Sequence, residues 1–142
     1  MNAQEIAERS AQTMWDNDVS SPHIGMQLKS IGPGSAVIEM PVADYMLNGA
    51  KVCHGGYIFT LSDSCFAFAC NSYNIATLAQ GCNIDFVRPA FVGDLLTATA
   101  TEISRGKTTG VYDVRVYNQN EKLVAVMRGK SFAGDKAIFS DD

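Results

Sequence analysis

Residues 48–72 read NGAKVCHGGYIFTLSDSCFAFACNS, and this stretch decides the fold because a long apolar segment follows a pair of glycines. Apolar residues crowd every side of it from about Tyr57 to Asn71, a pattern typical of a mostly buried helix. With its glycine start included, we predict this central helix over about residues 55–72. At 3.6 residues per turn, Asp63 shares the apolar stripe of Phe59 instead of lying opposite it. An acid in that place needs a physical explanation.

A buried, unpartnered carboxylate is costly, so an acid among apolar residues is either neutralised locally or used in a site. No lysine or arginine lies within a turn of Asp63, and the nearest hydroxyls, on Thr60, Ser62 and Ser64, are weaker partners. A functional site is favoured because it also explains the paired glycines. The alternative, an aspartate satisfied by hydroxyls or water, stays open.

Composition indicates one compact domain over residues 1–142, since 46% of the 142 residues are hydrophobic and 18% are charged. The net charge of −4, with acids and bases interspersed, argues against nucleic acid as a partner. The N-terminus MNAQEIAERSAQTMW lacks the apolar run of a secretory signal, and no stretch approaches the roughly 20 apolar residues of a membrane span. We therefore expect a cytoplasmic protein with no membrane partner.

The four cysteines, Cys53, Cys65, Cys70 and Cys82, form no CxxC pair, so we predict no metal site and interpret them as reduced packing residues. Cys53 has a second interpretation besides packing. A thiol directly before His54 and a helix start is a candidate nucleophile.

The remaining segments predict an antiparallel sheet. An amphipathic helix over about residues 2–17 and a loop at residues 20–23 precede a hairpin that turns at residues 32–34. Beyond the central helix, Cys82, Ile84 and Phe86 alternate in a strand that Pro89 ends or confines to an edge. Three further strands with short turns predict a meander: Asp94–Ile103, Thr108–Tyr117 and Lys122–Phe132. The tail from residue 134 is predicted to fray.

Together these elements predict an α+β fold with an antiparallel sheet of five to six strands wrapped around one long central helix. Such a sheet ends in exposed edge strands. Edge-to-edge pairing in a homodimer would cover them.

Short motifs in a fixed order carry a resemblance to the hotdog-fold acyl-CoA thioesterases, and within them to the phenylacetic acid degradation (PaaI) family, over roughly residues 12–133. The motif positions are Asn48-Gly49, His54-Gly55-Gly56, Asp63, Asn71-Ser72, Arg88-Pro89 and Gly93-Asp94. The resemblance implies a dimer with a continuous sheet, usually paired into a homotetramer. It also implies hydrolysis of aryl- or phenylacetyl-type thioesters of coenzyme A in phenylacetate degradation, with no cofactor besides the coenzyme A of the substrate.

Thioester hydrolysis requires donors for the developing oxyanion and a base or nucleophile. The first N–H groups of a helix lack internal partners, and Gly55 and Gly56 allow a thioester oxygen to approach them. Asp63 is the candidate general base or nucleophile, and its sequence position does not choose between these roles. Eight residues place it about 12 Å along the helix from Gly55, too far to serve one carbonyl. Either the two groups have different tasks, or each site takes Gly55 from one chain and Asp63 from the other. The resemblance implies sites shared across a dimer interface, so we predict the second.

Secondary site candidates have structural alternatives. Asn48 could orient water or the carbonyl, or only shape an Asn-Gly turn, and His54 could contact the thioester or only hold its loop. Arg88, Arg105, Lys107 and Arg128 are candidates for the phosphates of coenzyme A, although each could be only a solvated charge. The resemblance adds Asn71, Ser72, Thr109 and Gly110 as substrate contacts. Phe59, Phe66 and Tyr57 could stack on an aromatic acyl group, although core packing is the usual role of such residues.

Two rival functions fit the same pattern. A hotdog hydratase or dehydratase would use His54 with Asp63, and a non-catalytic acyl-CoA-binding module would bind without turnover. A serine nucleophile is disfavoured because Ser62 and Ser64 point about 100° away from Asp63 on either side.

Overall fold

The computed structural model describes residues 1–141, which contain three α-helices, a short 3-10 helix (Asp44–Met46) and six strands. The helices are α1 (Ala3–Asn17), the single turn α2 (Ser20–His23) and the central α3 (Gly55–Cys70), and the strands are β1 (Gln27–Gly32), β2 (Ser35–Pro41), β3 (Thr77–Phe86), β4 (Leu95–Arg105), β5 (Thr109–Tyr117) and β6 (Leu123–Ala133). The predicted α+β class is confirmed. In the described part of the chain no helix is both long and apolar enough to cross a membrane.

All neighbouring strands are antiparallel, in the order β1-β2-β4-β5-β6-β3. Strict alternation in β5 turns Tyr112, Val114 and Val116 toward the core. The same inner face of the sheet covers α3, whose Leu61 and Cys65 are fully buried. The sheet therefore wraps around the central helix, as predicted.

The strand that follows α3 does not join the meander beside β4 but crosses to the far edge, where it pairs with β6. β3 ends at Phe86, before Pro89, so the predicted edge position is confirmed. Most of its residues are exposed, including Leu78 on the outer face. Within residues 1–141 its free edge has no strand beside it.

Two sequence predictions about the chain's periphery are wrong. Residues 20–23 form a helical turn instead of a loop, because the Asp18 carboxylate accepts hydrogen bonds from the Ser21 N–H and hydroxyl. The tail up to residue 141 is held in place, because Asn74 Oδ1 accepts from the backbone N–H groups of Ile138 and Phe139. The Arg9 guanidinium also lies over the Phe139 ring, 4.2 Å from its centroid.

Candidate active site

At the start of α3, the backbone N–H of Gly55 has no acceptor within residues 1–141. The preceding loop is fixed by hydrogen bonds from Cys53 N–H to Ala90 O and from His54 N–H to Met46 O, 2.8 and 2.7 Å long. His54 is the N-cap: its Nδ1 accepts from the Gly56 N–H at 3.2 Å. The Gly55 N–H therefore remains free among residues 1–141. Gly56 and His54 serve the cap, which leaves the Gly55 N–H as the candidate oxyanion donor.

Asn48 can act only as a donor in this arrangement. Its Oδ1 accepts from the N–H groups of Ala50 and Val52, at 2.9 and 3.3 Å, which closes the turn before α3. The Asn48 amide nitrogen makes no hydrogen bond within residues 1–141. Its two N–H bonds can therefore point at a carbonyl or a water oxygen, while its oxygen is occupied.

Asp63 is half-buried, and its carboxylate makes no hydrogen bond or ion pair within residues 1–141. Burial raises the pKa of Asp63 above its usual value. Its charge contributes, after burial, to the raised pKa of the thiols of Cys70 and Cys82, so the carboxylate lies near both. A desolvated, unpaired carboxylate facing β3 is a base without a structural partner.

The inner face of β3 runs along α3 from Asp63 to Gly55, with Cys82 near the first and Phe86 near the second. Cys82 and Phe86 both pair with buried residues of β6, and four residues of strand span about 13 Å, close to the estimated separation of Asp63 and Gly55. The Phe86 ring reaches the helix start: a Cβ added to Gly55 would lie 3.0 Å from Phe86 Cζ. Sequence reasoning treated Phe86 only as a strand residue, although its alternation with Cys82 already placed it on the helix side.

A groove of about 280 Å³ opens beside Gly55, lined by Val52, Cys53, Ile58, Phe86, Val87, Arg88 and Pro89. Arg88 is thus the predicted phosphate-binding residue nearest to the helix start. Its guanidinium donates to Leu123 O at 2.9 Å, which fixes one side of the fork. The remaining N–H groups are exposed at the mouth of the groove.

Four other predicted substrate contacts lie together at the opposite end of α3. Arg105, Lys107 and Thr109 line a crevice beside Cys70 whose volume is about 20 Å³, room for one water. Gly110 borders it, because a Cβ there would lie 2.7 Å from Ser131 Oγ. The Arg105 guanidinium stacks on the Tyr73 ring, 3.6 Å from its centroid. The structure therefore separates Arg88 from Arg105 and Lys107 by the length of the helix.

Asn71 and Ser72, two further predicted contacts, are buried and fully hydrogen-bonded. Asn71 accepts from the Thr77 N–H and donates to the carbonyls of Thr77 and Ala67. The Ser72 hydroxyl accepts from the Gly34 N–H and donates to Ala69 O. Both side chains anchor the end of α3, and their binding role stays a prediction.

The aromatic candidate Phe59 is half-buried against the core. Phe66 is buried, and its ring fills the space left by the missing side chain of Gly129.

Alternative nucleophiles find no support. Burial raises the pKa of Cys53 to about 11, so its thiol is protonated at neutral pH. The Ser62 hydroxyl donates to Ile58 O, and the Ser64 hydroxyl is hydrogen-bonded to that of Ser21. Within residues 1–141, no three His, Cys, Asp or Glu side chains come together as metal ligands would.

A central helix wrapped by an antiparallel sheet, with a free N–H at its start and an unpaired acid on it, defines a hotdog-fold enzyme. The chain belongs to the thioesterase superfamily, whose family model matches residues 50–125 and so includes Gly55 and Asp63. It is similar to the acyl-coenzyme A thioesterase PaaI of Escherichia coli K12, with 49% identity over 88% of this chain and 89% of that one.

Solved structures agree. The structure of the E. coli PaaI protein from the phenylacetic acid degradation operon superposes with a TM-score of 0.94 at 45% identity, covering 96% of this chain and 99% of that one. A Streptococcus mutans protein crystallised with acetyl-CoA matches with a TM-score of 0.77 and 29% identity, over 80% of this chain and 91% of that one. The hotdog fold and the thioesterase class expected from the sequence are both confirmed.

Proposed function

We propose that the protein hydrolyses aryl- or phenylacetyl-type thioesters of coenzyme A, at sites that combine Gly55 of one chain with Asp63 of a second. The observation that carries the proposal is the pair of unsatisfied groups on α3, the Gly55 N–H and the Asp63 carboxylate. The relatives named for acyl-CoA thioester hydrolysis and for phenylacetic acid degradation support the substrate class.

In the general-base form of the reaction, Asp63 takes a proton from a water whose oxygen attacks the acyl carbon. The negative charge that develops on the carbonyl oxygen is stabilised by the Gly55 N–H and the positive end of the helix dipole. The C–S bond then breaks, and the coenzyme A thiolate leaves and is protonated. In the covalent form Asp63 attacks instead, and water hydrolyses the resulting mixed anhydride. Coenzyme A enters with the substrate, and neither form calls for a cofactor.

A second copy of the chain supplies the missing half of each site in this proposal. The open edge of β3 favours antiparallel pairing with the same strand of a partner. A two-fold axis near Phe59, midway between Gly55 and Asp63 along α3, would then set Gly55 of each chain beside the partner's acid. Dimers would pair further into a homotetramer, and the four free cysteines support a reducing compartment, the cytoplasm.

Mixed dimers test the shared site. Gly55→Pro removes the N–H at the first helical position, where proline is tolerated, and the preceding His54 already has the extended backbone (ψ 134°) that proline requires. Gly55→Ala is its matched control, because it adds a Cβ and keeps the N–H. We expect Gly55→Pro and Asp63→Asn each to lose most activity toward phenylacetyl-CoA as homodimers.

A purified mixed dimer of Gly55→Pro and Asp63→Asn contains one intact and one doubly defective site, so we expect about half of wild-type activity. If every site were formed within one chain, the mixed dimer would stay as inactive as its parents. That outcome would refute the shared site. A wild type that hydrolyses no acyl-CoA would refute the function itself.

A further inference from the structure

We propose that Phe86 selects the acyl group: its ring, which lies against Gly55, forms the apolar wall on which an aromatic acyl group packs while its carbonyl reaches the Gly55 N–H. This inference rests on the proposed thioesterase function and adds a specificity-determining residue to it. It starts from the contact between an edge-strand aromatic ring and the glycine that carries the free donor.

The exposure of Phe86 is unusual for its position in the sheet. The residue points to the inner face of β3, where Cys82 and Ile84 are half-buried against the core, yet 52% of Phe86 is exposed. The core therefore leaves about half of the ring uncovered. A ring that is partly packed and partly open on a concave surface offers contact area to a ligand.

Phe86 and Gly55 fit each other closely. The ring atoms Cζ, Cε1 and Cε2 would lie 3.0, 3.3 and 3.4 Å from a Cβ at position 55, so glycine is the residue that leaves room for the ring. As a result the ring edge stands directly beside the free N–H. Any carbonyl that accepts from this N–H must bring its substituents past Phe86.

The surroundings match an aromatic acyl group more closely than a charged or short one. The groove beyond the ring is lined by the apolar side chains of Val52, Ile58, Val87 and Pro89. Edge-to-face or offset contact with Phe86 would favour an aromatic group over an aliphatic group of similar size. Arg88 lines the same groove, so the charged part of the substrate would bind beside it and outside the apolar section.

Phe86 also lies on the strand that would pair in a dimer, so its role in selection must be separated from one in assembly. Loss of a purely structural contact would change activity toward all substrates by the same factor. Loss of an acyl contact would change KM for aromatic substrates alone. The KM and kcat values for a matched panel therefore distinguish the two roles.

The experiment compares wild type, Phe86→Leu and Phe86→Ala on phenylacetyl-CoA, benzoyl-CoA, hexanoyl-CoA and acetyl-CoA, with the oligomeric state measured by light scattering. We expect Phe86→Ala to raise KM about ten-fold for the two aromatic substrates and less than about three-fold for acetyl-CoA. Phe86→Leu keeps apolar volume without a ring, so we expect it to retain the hexanoyl-CoA activity and lose the aromatic preference.

Phe132→Ala is the matched control, because Phe132 is 49% exposed but lies on the outer face of β6. We expect it to leave the acyl preference unchanged. An equal change for all four substrates, or an unchanged preference in both Phe86 variants, overturns the inference while the thioesterase activity itself stands. If Phe86→Ala fails to assemble, the acyl preference of Phe86→Leu decides.

Discussion

The two ends of α3 treat their polar groups in opposite ways. At the first turn the Gly55 N–H has no acceptor within residues 1–141, whereas after the last turn the Asn71 side chain makes three hydrogen bonds to backbone groups. Ser72 makes two more, which join the helix end to the turn between β1 and β2. The first N–H groups of a helix have no partner inside it, so the half-buried Gly55 N–H leaves the first end open to a ligand, whereas the last end is closed by its own side chains.

Asp63, like the Gly55 N–H, is a polar group without a hydrogen-bond partner within residues 1–141. Its carboxylate is half-buried and has neither a donor nor a cation within residues 1–141, so it costs stability in its charged form. At the far end, by contrast, the carboxylate of Glu102 accepts hydrogen bonds from the hydroxyls of Tyr73 and Tyr112. The same type of side chain is thus held for structure in one region and left available for chemistry in the other.

The largest effect that this contrast predicts is that of Asp63→Asn. Loss of a general base or nucleophile should reduce kcat/KM for phenylacetyl-CoA by at least about 100-fold. The wild-type rate should itself fall with decreasing pH as Asp63 is protonated, at a pH above the usual range of an aspartate, because its pKa is raised. A variant that keeps full activity would remove Asp63 from the mechanism.

The same substitution, Asp63→Asn, should raise the stability of the fold while it lowers activity. Because the pKa of Asp63 is raised, the folded chain holds this proton more tightly than the unfolded chain, so ionisation removes stability as pH rises from the usual aspartate range through the raised pKa. Asparagine cannot ionise. We expect Asp63→Asn to unfold at a higher temperature than wild type at neutral pH and the gap to close in acid, and a lower unfolding temperature at neutral pH would show that the charge has a stabilising partner.

At the other end of α3, Asn71→Ala should lower the stability of the fold and leave substrate binding unchanged. It leaves the Thr77 N–H and buried carbonyls without partners, so we expect a loss of about 2 kcal/mol in the free energy of unfolding and an unchanged KM. Denaturant unfolding and steady-state kinetics measure the two quantities. Asn120→Ala, at an exposed turn, is the control and should change neither. A raised KM without a loss of stability would instead place Asn71 in the binding site.

Sequence patterns predicted the features that depend on neighbours along the chain. The apolar crowding between Tyr57 and Asn71 gave the buried helix, and strict alternation gave the faces of β5. The place of β3 beside β6 depends on a crossover, which local patterns do not specify; the proline after β3 indicated only that it lies at an edge. The docked tail was missed because its partner, Asn74, lies about sixty residues earlier in the chain.

The site shows the same division. Glycine, histidine and aspartate at helix spacing predicted the free donor and the acid, because these follow from helix geometry alone. The turn that Asn48 Oδ1 closes is local as well, and it was one of the two alternatives for this residue. The contact of Phe86 with Gly55, by contrast, needed tertiary structure. Charge alone also grouped Arg88 with Arg105, although α3 keeps them apart.

The separation of the basic residues leads to the smallest predicted effect. Arg88 lies at the groove beside Gly55, so we expect Arg88→Gln to raise KM for phenylacetyl-CoA about five-fold, the size of a partly exposed charge-assisted contact with phosphate. The N-acetylcysteamine thioester of the same acid lacks phosphates, and its KM should not change. Arg128→Gln is the control, because Arg128 is paired with Asp113 and points away from the core.

If Arg105→Gln or Lys107→Gln produced the phosphate-specific change and Arg88→Gln did not, the coenzyme would run toward the end of α3 that carries Cys70. In a shared-site dimer that end belongs to the chain that supplies Asp63, so the experiment also shows which chain holds the phosphates.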